Sequence, residues 1–192
     1  MTMNLPDRMP PLAREQMDEA QRASADALIA GPRKAVKGPF IPLLRSPALM
    51  DRLQRVGEYL RFDSALPTRL NEFATLLVAR ATSQQFEWFV HAAAAQKAGT
   101  SRASVEAIRE GRRPTDMSDD EALVHDAVGE LLARHGFSDA TYARAVERFG
   151  ERGVIDLVAL VGYFVQVCWV LNVAHTPPEP VDGIEALPAF PR

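Results

Sequence analysis

The stretch Arg69-Leu-Asn-Glu72 … Gln84-Gln-Phe-Glu87-Trp88-Phe-Val-His91 decides how this chain folds. Leu70, Phe73, Leu76 and Leu77 recur at spacings of three, three and one, the pattern of one helix face. Thr82 followed three residues later by Gln85 has the form of a capping box, so a break and a restart are expected there. The restarted helix runs to Lys97 and stops at Gly99, a natural left-handed terminal residue. Glu87 and His91, four apart, then stack one turn above the other on one face, and Gln84 extends the stripe. Glu72 reaches His91 only if the two helices fold back as a hairpin. A polar stripe inside an apolar segment is either a satisfied buried network or an acid–base site.

The surrounding pattern is helical almost throughout. Leu49, Leu53, Val56 and Leu60 mark a first core helix over Pro47 to Leu60, and Ser64 with Pro67 reads as the start of the helix that carries Glu72. Ser101 or Ser104 opens a short helix ending at Gly111. Ser118-Asp-Asp-Glu121 starts another, and Ser138 caps one through Phe149. Gly153 precedes a segment in which Leu157 to Ala174 carry no formal charge. Such a run raises the membrane question, but Gln166 and Asn172 interrupt it and no basic flank follows. A fully buried central helix is the expected reading.

No stretch shows period-two alternation, so the expected class is all-α. Seven of the fourteen prolines fall within residues 1–47, where Leu12 to Ala30 reads as a helix followed by an extended, surface-wrapping piece. The expected organisation is an N-terminal helix and proline-rich arm over residues 1–47, a helical domain over 48–180, and an extended tail over 181–192.

The 192 residues suffice for about one domain, and 47% are hydrophobic, enough for a substantial core. A net charge of −3 with scattered Lys and Arg argues against a nucleic-acid footprint. Arg33-Lys34 and Arg112-Arg113 read as solvated loop pairs. The single cysteine, Cys168, lies in apolar surroundings that favour an inert core thiol. With no intrachain disulfide possible and no secretory apolar core at the N-terminus, the cytoplasm is the expected compartment.

His91 is the leading acid–base candidate, since an imidazole titrates near neutrality and Glu87 one turn earlier can orient it. Glu72 is either its second partner or a surface glutamate near Arg69. Arg80, set in Leu-Leu-Val-Ala-Arg-Ala, needs an anionic partner, which is a buried glutamate or a substrate carboxylate. Trp88 reads as a pocket wall, and His175 as a helix-end residue that could face the same cavity. Glu87 and His91 have helical metal-ligand spacing, but no second such pair follows, so no metal is expected. No phosphate-binding Gly loop, serine elbow or dinucleotide fingerprint occurs, and no cofactor is expected.

Arg69-Leu-x-Glu72, Phe86-Glu87-Trp88-x-x-His91, Ala95-x-x-Ala98-Gly99 and Ala107-Ile-x-x-Gly111 together resemble the carboxymuconolactone decarboxylase family. The similarity extends through Asp119-Glu121 and Leu160-Val-Gly162-Tyr163-Phe164, within the AhpD-like superfamily. The resemblance implies an AhpD-like helical fold with a central hairpin, assembling as a homo-trimer or hexamer. The peroxidase branch of that superfamily uses a Cys-x-x-Cys pair, whose places here hold Gln84 and Glu87, so dithiol chemistry has no carrier. The decarboxylase branch implies loss of carbon dioxide from a carboxylated unsaturated lactone in aromatic breakdown. In that reading His91, Glu72 and Glu87 are catalytic, and Arg80, Gln84 and Trp88 hold the substrate. The other reading is a family member that binds a ligand or acts as a scaffold without turnover.

Overall fold

The computed structural model describes residues 6–188. Eight α-helices follow in order among them: α1 Glu19–Ala30, α2 Phe40–Leu43, α3 Pro47–Phe62, α4 Thr68–Ala81, α5 Gln85–Lys97, α6 Arg102–Arg109, α7 Asp119–Arg134 and α8 Asp139–Ala174. No strand occurs among the described residues, so the fold is all-α.

α4 is the axis of the molecule and packs against α5, α7 and α8. Its interior position follows from its sequence: nearly every residue from Leu70 to Ala79 is buried, with Phe73, Leu76 and Val78 fully enclosed. Burial of each such side chain stabilises the fold by roughly 1.5–3 kcal/mol. Trp88 and Phe89 from α5, Val124 from α7 and Leu157, Leu160 and Leu171 from α8 complete this core.

The hairpin between α4 and α5 is turned by different residues from those expected. Thr82 closes α4 rather than opening α5, and Ser83 takes a left-handed conformation at φ 52°. Gln84 is the N-cap: its side-chain oxygen accepts from the Phe86 N–H at 2.5 Å and the Glu87 N–H at 3.2 Å. Glutamine displaces threonine because the tight turn puts its longer side chain over the open first turn of α5.

The arm also differs from expectation. Helix formation begins only at Glu19, where Asp18 and Gln21 form a capping box; before it lies a single 3-10 turn, Arg14–Gln16. The piece after Gly31 is not wholly extended, because α2 interrupts it. Phe40, Leu43 and Leu44 bury themselves with Leu28 and Met50 in a second apolar cluster. The arm is therefore bonded to α3 by its own small core.

α8 is long and apolar enough to span a membrane, yet 56% of its most apolar window is buried within the fold. It breaks at Gly150, which lies at φ 69°, and not at Gly153. Gly153 serves packing instead, since a Cβ there would meet the Phe149 Cβ at 2.6 Å. The expectation of a fully buried helix is also corrected. Ile155, Val158, Trp169 and Val173 lie exposed along one face at helical spacing, with Trp169 62% accessible. The tail runs back over α5: Glu185 accepts from the Trp88 indole at 2.8 Å, and Leu187 exchanges two hydrogen bonds with the Gln85 side chain. The last residues of the expected tail, 189–192, lie outside the described part.

Candidate functional site

The hairpin brings Glu72 and His91 together across nineteen positions of sequence. His91 Nδ1 lies 2.5 Å from Glu72 Oε2, and His91 Nε2 lies 3.1 Å from Glu87 Oε2. All three side chains are buried, His91 to 3% exposure. The two contacts have distinct origins. The Glu87 contact is local, one turn apart on α5, whereas the Glu72 contact exists only because α4 and α5 pack side by side. The Phe164 ring meets the imidazole edge-on at 4.9 Å and 82°, fixing its plane from the α8 side.

The electrostatics follow from this sandwich. Burial pushes the imidazole toward its neutral form, but hydrogen bonds and charge from Glu72 and Glu87 outweigh it and raise the His91 pKa from 6.5 to about 9. For Glu72, burial pulls upward, and the hydrogen bond to His91 wins and holds its pKa below the ordinary value of 4.5. At neutral pH the centre is thus an imidazolium flanked by carboxylates. Both ring nitrogens face a carboxylate, which leaves no imidazole lone pair to ligate a metal. Among the described residues no group of His, Cys, Asp and Glu has metal-holding geometry.

His91 and Glu87 open onto a cavity of about 440 Å³, and Glu72 stands behind them. Phe86, Val90, Phe164 and Val167 supply apolar walls, and Tyr163 adds a buried phenol whose pKa is raised by that burial. Pro32, Arg33, Ala35, Lys37, Pro39 and Phe40 of the arm form the facing wall, with Arg61 and Phe62 from the end of α3.

Three residues expected to hold substrate do not line this cavity. Arg80 instead donates from Nε to the Arg109 carbonyl at 2.8 Å, tying α4 to the end of α6. Gln84 is occupied as the α5 cap and donates to the Asn172 side chain at 3.2 Å. Trp88 is fully enclosed and hydrogen-bonded to the tail. His175 caps α8 in a left-handed conformation at φ 57° and does not line the cavity either.

The arginines that do line it were not singled out by pattern. Arg33, expected as a solvated loop residue, instead has its Nε and Nη2 buried and its guanidinium 4.4 Å over the Phe40 ring. The only hint in the sequence is the framing of Pro32 to Lys37 by two Gly-Pro breakers, which shapes a strap without indicating where it lies. Gly57 permits the close approach. A Cβ there would sit 2.2 Å from the Tyr163 hydroxyl and 3.0 Å from Arg33 Nη2. Cys168 is fully buried, and burial followed by the Glu87 charge pushes its thiol up to about 12, far from any reactive thiolate.

The core of this site, α3 to most of α7, coincides with a known family. Residues 47–128 match the family model described as the carboxymuconolactone decarboxylase family. Over those residues, fewer than half of the chain, the sequence is similar to that family. The match contains Glu72, Glu87, His91 and Arg61, while the arm with Arg33 and the α8 residues Tyr163 and Phe164 lie outside it. A search of curated proteins finds no match. The segment that matches the family model thus supplies the Glu–His–Glu centre, and chain on either side of it closes the cavity.

Proposed function

We propose that this protein is a cofactor-independent acid–base enzyme, a decarboxylase or isomerase acting on a small carboxylated lactone or related organic acid in the cytoplasm. The observation that carries the proposal is a buried imidazolium, held between Glu72 and Glu87, that opens on a 440 Å³ cavity. That volume lies at the small end of ligand pockets, which run from ~300 to 1,000 Å³.

The geometry supports a proton relay. His91 passes its Nε2 proton to Glu87 over 3.1 Å, and Glu87 delivers it to a substrate carbon. Glu72 keeps hold of the Nδ1 proton and so fixes the tautomer that remains. In decarboxylation, the bond to the carboxylate carbon breaks as carbon dioxide leaves. Its electron pair enters the conjugated lactone carbonyl, and the relayed proton closes the carbon. In isomerisation, Glu87 removes a proton from one carbon and returns it to another. After decarboxylation solvent reprotonates His91, whose raised pKa keeps it charged at neutrality, whereas isomerisation returns the proton through Glu87 and leaves His91 charged throughout.

Incubation with a carboxylated unsaturated lactone in deuterated water tests the proposal. Loss of ultraviolet absorbance, with a product carrying one deuterium on carbon, is expected. Ligand-induced thermal stabilisation with no product and no deuterium uptake would instead identify a non-catalytic binding protein.

Homo-oligomeric assembly, as a trimer or hexamer, belongs to the same proposal. Its support is the apolar stripe of Ile155, Val158, Trp169 and Val173, which leaves one face of α8 uncovered. Trp169→Glu is expected to lower the mass measured by light scattering to that of a single chain without loss of helical circular dichroism. A wild-type protein that is already monomeric at micromolar concentration would refute the assembly.

A further inference from the structure

Arg33 and Arg61 face the same cavity from opposite directions in sequence, one on the arm and one at the end of α3. Three of their nitrogens, Arg33 Nε, Arg33 Nη2 and Arg61 Nε, are buried and find no acceptor among the described residues. A buried guanidinium N–H without an acceptor is costly, and proteins retain such groups where something else satisfies them. The two charges also oppose each other: burial lowers the Arg33 pKa most, Tyr163 works against it, and the Arg61 charge adds to the lowering.

The imidazolium of His91 cancels one of its two carboxylates, and at the rim Lys37 cancels Glu179. Glu58 and Glu87 act on Arg33 only from beyond ion-pair distance, and neither guanidinium has a carboxylate partner among the described residues. A carboxylate is therefore what the pair lacks. Guanidinium forks suit a planar carboxylate, which accepts two N–H bonds side by side.

We propose that Arg33 and Arg61 form a carboxylate-binding subsite, so that the cavity takes a small monocarboxylate and the arm completes the site by supplying Arg33. The subsite holds the charged end of the ligand, and the apolar surfaces of Phe40, Phe86 and Phe164 take its ring or chain. The inference rests on the acid–base reading only for which end of the ligand meets Glu87 and His91; the subsite itself is a matter of binding.

Calorimetric titration of the full chain with γ-butyrolactone-γ-carboxylate, and with its neutral methyl ester, tests this. The carboxylate is expected to bind the wild type at least about tenfold more tightly than the ester, with Arg33→Met and Arg61→Met each weakening it by at least about tenfold. Arg33→Lys keeps the charge without the fork and is expected to recover part of the affinity; it also serves if Arg33→Met fails to fold. Equal affinity for acid and ester, unchanged binding in both methionine variants, or no binding to the wild type at millimolar ligand each overturns the subsite. Unchanged binding in those variants, with catalysis that depends on His91, removes the subsite and leaves the acid–base reading intact. Arginine-dependent binding with neither product nor deuterium uptake does the reverse.

Discussion

His91→Gln is expected to lower turnover of a carboxylated lactone by about 10²–10⁴-fold, the usual contribution of a positioned proton-transfer group. Glutamine matches the imidazole in approximate size and can donate one hydrogen bond, but it cannot carry a proton between Glu87 and solvent. The same substitution removes the positive charge that Glu72 and Glu87 share at 2.5 and 3.1 Å. Breaking a buried pair in this way costs about 3–5 kcal/mol, so one carboxylate should take up a proton in compensation. Turnover is therefore measured with a denaturation curve beside it. Glu87→Gln provides a second variant in which the His91–Glu72 pair survives and the relay alone is cut. Wild-type turnover in a folded His91→Gln protein would remove His91 from the chemistry.

Glu72→Gln is expected to act through His91 rather than on the substrate, because Glu72 does not line the cavity. Loss of its charge should drop the His91 pKa from about 9 toward or below 6.5, since burial would then be opposed by Glu87 alone. The raised pKa of His91 contributes stability that is complete below about 6.5 and is lost as pH rises through about 9. The depressed pKa of Glu72 contributes stability that is present above 4.5 and is lost as pH falls through its lower folded value. Glu72→Gln should thus destabilise most between pH 4.5 and 6.5, by on the order of 3 kcal/mol, and least above pH 9. Denaturant midpoints across that range measure it. A pH-independent deficit would mean that Glu72 only packs.

The parts of this fold visible in the sequence were those with local causes. The spacing of Leu49, Leu53, Val56 and Leu60 marks α3 as a helix but not its core face, since Leu49 and Val56 lie exposed while Met50, Gly57 and Leu60 turn inward. Ser118 with Glu121 marks the start of α7, where both capping hydrogen bonds form. Glu87 beside His91 is a one-turn relation that periodicity alone dictates. Glu72 is less local, yet the break near Ser83 was enough to suggest the hairpin that delivers it.

What escaped was set by tertiary contacts. Arg33 lies in a loop-like Gly-Pro-Arg-Lys context, where an arginine is usually solvated, and only the docking of Phe40 and Leu43 on the second core pulls it inward. Arg80 stays away from the cavity for the opposite reason. Its apolar context did signal burial and a required partner, but that partner is the neutral Arg109 carbonyl at the C-terminus of α6. Thr82 lost the cap to Gln84 because the left-handed Ser83 moves the start of α5 by two residues. The residues that close the cavity, Arg33 and Tyr163, lie outside the segment that matches the family model, so the Glu–His–Glu centre and the facing cavity wall are encoded in different parts of the chain.

His91 stands at the centre of the molecule's chemistry as a buried imidazolium poised between two carboxylates. A ¹⁵N-detected pH titration of the His91 side chain measures that state directly. Both ring nitrogens should be protonated at neutral pH, with a transition near 9 that shifts down in Glu72→Gln. A neutral imidazole at pH 7, titrating at or below 6.5 and unmoved by Glu72→Gln, would contradict it.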